Sequence, residues 1–254
     1  TQAVDALVKC FEGQQFADKV EYLRDKGVSS AEPSLDYESD DGYRNADLVL
    51  SEKELLDNIH KVQDDNFIIR SQQIEHTAGK PSFDIEMETG TGKTYVYTKT
   101  MYELNKAYGW SKFIIVVPSV AIREGIYKSL EYTQEHFMQH YGKKIRFFIY
   151  NSKRLNMIDQ FSASADINAM IINTQAFNTS LNKDKNVEGR KGNEAARIIY
   201  TKRDEFASRR PIDVIAANRP ILILDEPQRM GDAKSATQKA LEQFKPLFVI
   251  NYSA

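Results

Sequence analysis

Residues 87–94 read Met87-Glu88-Thr89-Gly90-Thr91-Gly92-Lys93-Thr94, between a strand-like Phe83-Asp84-Ile85-Glu86 and a helix-like run from Tyr95 to Leu104. A glycine-containing turn from strand to helix leaves backbone N–H groups aimed at one point, where the positive end of the helix dipole adds to the field. Thr89, Gly90, Thr91 and Gly92 would wrap a phosphate, Lys93 would reach the β- and γ-phosphates, and the Thr94 hydroxyl would ligate Mg²⁺. The formal pattern asks for glycine where Met87 stands. About 130 residues further on, the apolar run Ile221-Leu222-Ile223-Leu224 ends in Asp225-Glu226. A parallel strand buried on both faces reads as such a run, and an α/β sheet places ligands at its carboxyl end. Asp225 suits the Mg²⁺ shell, and Glu226 suits orienting or deprotonating an attacking water.

Further polar groups fall at comparable places. Arg70-Ser71-Gln72-Gln73 precedes the phosphate loop, and the amide of Gln73, or failing that Gln72, can read adenine bidentately. Pro118, Ser119 and Arg123 follow the next strand, where side chains can touch a phosphate backbone, and Asn173-Thr174-Gln175 holds the same kind of place one strand later. Asp225-Glu226 continues into Pro227-Gln228, and the chain closes on Ser253-Ala254.

The elements that must position these groups alternate. The pattern predicts a helix over 2–26, a loop over 27–46 carrying Glu32, Asp36, Glu38, Asp40 and Asp41, and a helix opened at Ser51 by a capping box with Glu54 and running through Ile59. Strands are expected at 113–117, 145–150, 169–173 and 221–226, with a last one ending near Tyr252. Ser119 caps a long helix to about His140, a polar loop covers 178–193, and helices are expected near 194–207 and 235–244. Strands separated by helices imply a parallel sheet. Asp84 and Glu86 fit this poorly, because a central parallel strand should be apolar on both faces. Either one face is open there or the acids are paired.

With 254 residues, 41% hydrophobic and 28% charged, the chain has the composition of an ordinary globular protein. A net charge of −2 argues against capture of nucleic acid by the whole molecule while leaving room for a local basic groove. A single cysteine, Cys10, excludes an intramolecular disulfide, and neither a membrane-length apolar run nor a signal-peptide pattern is present. A cytoplasmic location is expected. The opening on Thr1 and the stop at Ala254 read as the edges of a piece of a longer protein. Simple readings serve the remaining signals: His136 and His140 as a solvated helix face rather than a zinc site, Lys183, Lys185, Arg190 and Lys191 as a charged surface loop, Tyr95, Tyr97 and Tyr102 as helix packing, and Cys10 as a small core residue.

The order of these groups resembles the first RecA-like domain of superfamily 2 helicases and translocases. The phosphate loop resembles motif I, Gln73 the adenine-reading glutamine, Pro118-Ser119 motif Ia, Asp225-Glu226-Pro227-Gln228 motif II, and Ser253-Ala254 the start of motif III. The wording of 87–97, with Arg219-Pro220 ahead of Asp225, is most similar to the Res subunit of type III restriction-modification enzymes. The resemblance implies an α/β RecA-like P-loop domain with a mostly parallel sheet over 63–254, and an N-terminal helical extension with its acidic loop, 1–62, packed on that core. It implies ATP and Mg²⁺ as cofactors, duplex DNA and a methyltransferase (Mod) subunit as partners, and ATP hydrolysis coupled to action on DNA. It also implies a second RecA-like domain with an arginine finger and a C-terminal nuclease domain, neither of them in this sequence, so that the isolated chain should hydrolyse ATP barely above background. Gln228 stands where many members carry His or Asp; it cannot carry a proton, and together with Ser253 it is read as coupling the nucleotide site to the next domain. A helicase domain acting on RNA or in other DNA remodelling is the alternative, and a P-loop ATPase or kinase unrelated to nucleic acid is a third.

Overall fold

The computed structural model describes residues 2–27, 41–88, 90–178, 194–230 and 236–254. Expectations for Thr89, for the acids at 32–40 and for the basic residues at 183–191 lie outside the described residues. In chain order the elements are α1 (Gln2–Lys9), β1 (Val20–Leu23), β2 (Asp41–Arg44), α2 (Glu52–Asp65), β3 (His76–Thr77), β4 (Lys80–Glu86), α3 (Lys93–Tyr108), β5 (Lys112–Val117) and α4 (Val120–Tyr141). There follow β6 (Arg146–Ile149), α5 (Asn156–Ala163), β7 (Asn168–Asn173), α6 (Glu194–Ile198), α7 (Pro211–Ala217), β8 (Ile221–Asp225), α8 (Ala236–Glu242) and β9 (Val249–Ser253).

The main sheet has the order β3-β4-β9-β8-β5-β7-β6. All its pairings are parallel except the β3–β4 hairpin, which turns through Ala78 and Gly79, both at positive φ. Successive side chains of a strand leave on opposite faces, and the apolar runs use both. Phe113, Ile115 and Val117 of β5 join one core with Tyr97, Met101 and Leu104 of α3 and Phe137 of α4. Ile114 and Val116 join a second core with Ile158 and Phe161 of α5, Ile212 and Ile215 of α7, and Leu241 of α8. Helices thus cover both faces of a mostly parallel sheet, which is the α/β class expected.

The acids of β4 find their explanation in the strand order. β4 has only the two-residue β3 outside it, so its polar face is open: Asp84 and Glu86 are exposed while Phe83 is buried. Among the described residues Asp84 has no ion pair; its Oδ1 accepts from Asn251 Nδ2 at 2.6 Å.

The N-terminal reading needs correction. The helix expected over 2–26 ends at Lys9, because the chain turns through Gly13 at φ +98° and then forms β1, which pairs antiparallel with β2 in a separate ribbon. Gln14 stitches the turn to the rest, donating to the Asp47 carbonyl at 3.1 Å and accepting from Val49 N at 3.0 Å. Val4, Leu7 and Phe11 still bury in the same core as α3. The Ser51–Glu54 capping box is formed, with Ser51 N donating to Glu54 Oε2 at 2.8 Å, but α2 runs on to Asp65, past Ile59 and across residue 62. The helix expected over 194–207 breaks after Ile198 into turns and a 3₁₀ segment at 204–206.

Candidate active site at the carboxyl ends of the central strands

The phosphate loop leaves the end of β4 with Met87 still in the ladder: its N–H donates to the Ser253 carbonyl at 2.9 Å. The position where the pattern asks for glycine lies one residue past β4 and outside the left-handed region, so a side chain fits. The left-handed conformations come later, at Gly90 (φ +83°) and Gly92 (φ +88°), where a Cβ would be strained. Thr91 closes the turn on Glu88, donating to its carbonyl from N at 3.2 Å and from Oγ1 at 2.6 Å. Gly92 caps α3 with no side-chain acceptor, so the first N–H groups of that helix have no side-chain cap and suit an anion.

One strand away, β8 ends at Asp225. Register places Asp225 beside Tyr252 and Glu86 beside Ser253, with β9 between β8 and β4. Glu226 takes a left-handed φ of +58° and donates its N–H to the Tyr252 carbonyl at 2.9 Å. That turn swings its side chain onto the phosphate loop. Lys93 Nζ forms an ion pair with Glu226 Oε1, each side chain only 12% exposed. Gln228 Nε2 donates to the other oxygen, Glu226 Oε2.

Asp225 is buried, and among the described residues its Oδ1 has no hydrogen-bond partner. Burial raises its carboxyl above the usual value, against the opposing charges of Lys93 and Arg229. A buried carboxylate oxygen without a hydrogen-bond partner is a hard donor of the kind that fits Mg²⁺. Thr94 itself sits in the first turn of α3, where its Oγ1 accepts from the Tyr97 hydroxyl at 3.2 Å. Tyr97 is fully buried; its phenol is pushed well above the ordinary value by burial, with the Asp225 charge adding to the push and the Thr94 bond opposing it. Tyr97 packs in the core as the sequence suggests, and it also touches Thr94. The signal for more was its place three residues after Thr94, a spacing that puts both on one helix face.

The other expected site residues divide into two groups. Gln73 is exposed, and the antiparallel β3–β4 pairing runs its segment back toward the end of β4 from which the phosphate loop departs. The segment is anchored at Ser71: Gln63 Oε1 accepts from Ser71 N at 2.9 Å, Gln63 Nε2 donates to Ser71 Oγ at 2.8 Å, and His60 Nε2 lies 2.8 Å from the Ser71 carbonyl. Pro118, Ser119, Arg123 and Thr174 gather at the ends of β5 and β7. Ser119 Oγ caps α4, accepting from Ile122 N at 3.3 Å, and Thr174, itself buried, donates to the Pro118 carbonyl at 3.4 Å. Arg123 donates to Asn173 Oδ1 at 3.0 Å and pairs with Glu124 at 2.8 Å. Ser253 meets the phosphate loop through its backbone carbonyl. Away from the site, His136 Nε2 lies 2.9 Å from the Tyr95 hydroxyl, and Cys10 is buried with its thiol 3.4 Å from the Ala6 carbonyl. No helix among the described residues is long and apolar enough to cross a membrane.

Comparison with known proteins bears on this arrangement. Residues 47–254 match the family model described as type III restriction enzyme, res subunit. The chain is 31% identical over 222 residues to the Res subunit of the type III restriction-modification enzyme EcoP15I of Escherichia coli, covering 83% of this chain and 22% of that protein. It is equally similar to the EcoPI Res subunit of Escherichia phage P1, and 30% identical over 214 residues to the StyLTI Res subunit of Salmonella typhimurium, covering 77% of this chain and 20% of the relative. The chain thus spans about a fifth of the length of these relatives. With its phosphate loop, its buried Asp225 and the parallel sheet that holds them, the chain belongs to the Res subunit family of type III restriction enzymes.

Proposed function

We propose that this chain is the ATP-binding first motor domain of a DNA translocase or helicase. Working with a methyltransferase subunit, it would couple ATP hydrolysis to action on duplex DNA, in the cytoplasm. The observation that carries the proposal is the Lys93–Glu226 pair, which joins the phosphate loop to the Asp225 strand with an orphaned carboxylate oxygen beside it. The backbone of Gly90–Gly92 and the start of α3 bind the phosphates, and Lys93 moves from Glu226 to the β- and γ-phosphate oxygens. Glu226, released, is free to orient the attacking water and accept its proton. Thr94 and Asp225 would hold Mg²⁺, which neutralises charge developing on the phosphate oxygens. Gln73 reads the adenine edge. Pro118, Ser119, Arg123 and Thr174 form the edge of the nucleic-acid track, and Gln228 and Ser253 link the nucleotide site to a following domain. Nuclease action and the arginine finger would come from other parts of the full-length protein.

Titration of a fluorescent ATP analogue with Mg²⁺ into this chain and into Lys93→Ala tests the site. A charge-assisted contact is worth roughly 1.5–3 kcal/mol, so affinity should fall about tenfold or more. Equal affinities would overturn the site. For the action on DNA, ATP turnover by the full-length protein with its methyltransferase subunit should be stimulated by duplex DNA and not by RNA. The reverse result would move the reading to an RNA helicase.

A further inference from the structure

Helix α3 carries three threonines within two turns of the phosphate loop, and they behave differently. Thr98 Oγ1 donates to the Thr94 carbonyl at 2.6 Å, and Thr100 Oγ1 to the Val96 carbonyl at 3.0 Å. This is the usual habit of a helical threonine, whose hydroxyl bonds back to the carbonyl four residues before it. A hydroxyl so engaged is turned along the helix. Thr94, second in the helix, has no helical carbonyl four residues before it, and its Oγ1 accepts from the Tyr97 hydroxyl at 3.2 Å.

The phenol that makes this bond is held hard. Tyr97 is fully buried, with its ring 5.5 Å from that of Tyr252 at an interplanar angle of 64°. The Tyr252 hydroxyl is committed elsewhere, 2.8 Å from Thr100 Oγ1. Because Thr100 gives its one proton to Val96, Tyr252 is the donor in that pair. The Tyr97 hydroxyl is thereby left for Thr94. A phenylalanine would fill the same space, so packing alone does not account for a buried phenol here; the hydroxyl acts on Thr94.

We propose that Tyr97 is a positioning residue for Thr94, fixing the direction of its hydroxyl and leaving one lone pair free for the cation that accompanies a bound nucleotide. The inference rests on the reading of Thr94 as a Mg²⁺ ligand. A threonine oxygen has two lone pairs and one proton. With one lone pair taken by Tyr97, the remaining one has a set direction. Outer groups that orient a metal ligand are commonly worth 10–100-fold in metal affinity.

The test is the Mg²⁺ dependence of fluorescent ATP-analogue binding, measured for this chain, Tyr97→Phe, Tyr252→Phe and Thr94→Ala. Tyr97→Phe should raise the half-saturating Mg²⁺ concentration about tenfold and leave analogue affinity in EDTA unchanged. Tyr252→Phe removes an equally buried hydroxyl that does not touch Thr94, and should leave both quantities alone. A normal Mg²⁺ midpoint in Tyr97→Phe, with a shifted one in Thr94→Ala, overturns the role of Tyr97 only. An unshifted midpoint in Thr94→Ala overturns the underlying metal-ligand reading instead. Equal shifts in Tyr97→Phe and Tyr252→Phe, or failure of Tyr97→Phe to fold, would make the phenol a packing group and also overturn the inference.

Discussion

Replacing Glu226 by Gln should make the nucleotide bind more tightly. In the structure Lys93 is already spoken for, paired with Glu226 in a setting where each side chain is 12% exposed. An incoming triphosphate must draw the ammonium away and settle its own negative charge near the vacated carboxylate. At an effective dielectric constant of about 20, two unit charges 4 Å apart interact by roughly 4 kcal/mol. Much of that is returned when Lys93 meets the phosphates, so the net effect is better bounded by one charge-assisted hydrogen bond, about 1.5–3 kcal/mol. Glutamine keeps the shape, can still accept from Lys93, and carries no charge. Affinity for a fluorescent ATP analogue should therefore rise roughly 10- to 150-fold, at about 1.4 kcal/mol per decade. The gain should shrink when Lys93→Ala is added, because there is then no pair to break; the difference between the two backgrounds is the pairing energy. If Glu226→Gln bound no tighter, or more weakly, the carboxylate would instead be organising the loop for the ligand, and Glu226 would not compete with the phosphates for Lys93.

Two further outcomes are expected. Gln73→Ala should flatten a preference for ATP over GTP, because guanine presents an oxygen where adenine presents an amine; competition titrations measure it, and full discrimination by the variant would shift base reading to Gln72 or elsewhere. Lys112 is fully buried at the start of β5, its ammonium donating to the Phe161 and Ser164 carbonyls, and burial pulls its pKa from 10.5 down to about 7. Below pH 7 the fold bears the full cost of the buried charge, and between pH 7 and 10.5 the unfolded chain holds a proton that the folded chain has released, so stability should rise with pH across that window. Urea midpoints at about pH 6.5, 8 and 9.5 should climb for the native chain and stay flat for Lys112→Met; parallel slopes would refute the assignment.

Much of this was legible in the residues because it is local. The runs at 113–117, 169–172 and 221–224 are apolar at every position, which only a strand covered on both faces requires, and they became β5, β7 and β8. Ser51 with Glu54, and Ser119, announced helix starts through bonds of three residues' reach. What failed was what depends on distant partners. Val20–Leu23 alternates between half-buried and exposed and becomes a strand only because Asp41–Arg44 comes back to pair with it. Helices α5 and α7 are seven or eight residues long, too short for periodicity to stand out, although Pro211 at the start of α7 was an available signal. Asp84 and Glu86 looked wrong for a central strand until the strand order put β4 next to the short edge strand.

The site shows the same division, and β9 explains it. Sequence alone could assign types to Lys93, Thr94, Asp225 and Glu226, but not the distance between two loops 133 positions apart in the Lys93–Glu226 pair. That distance is set by neither loop. Met87 N bonds to the carbonyl of Ser253, and Glu226 N bonds to the carbonyl of Tyr252, the residue before it. The first residue of the phosphate loop and the acid that faces it therefore hang from consecutive carbonyls of one strand, on its two edges. Successive carbonyls of a strand point to opposite sides, so two consecutive residues of β9 are enough to bind both neighbours and fix their separation. Any movement of β9 along its axis would shift both loops together and preserve the Lys93–Glu226 pair, whereas loss of either backbone bond would separate them. The short apolar run ending in Ser253-Ala254 is thus the element on which the geometry of the other two depends.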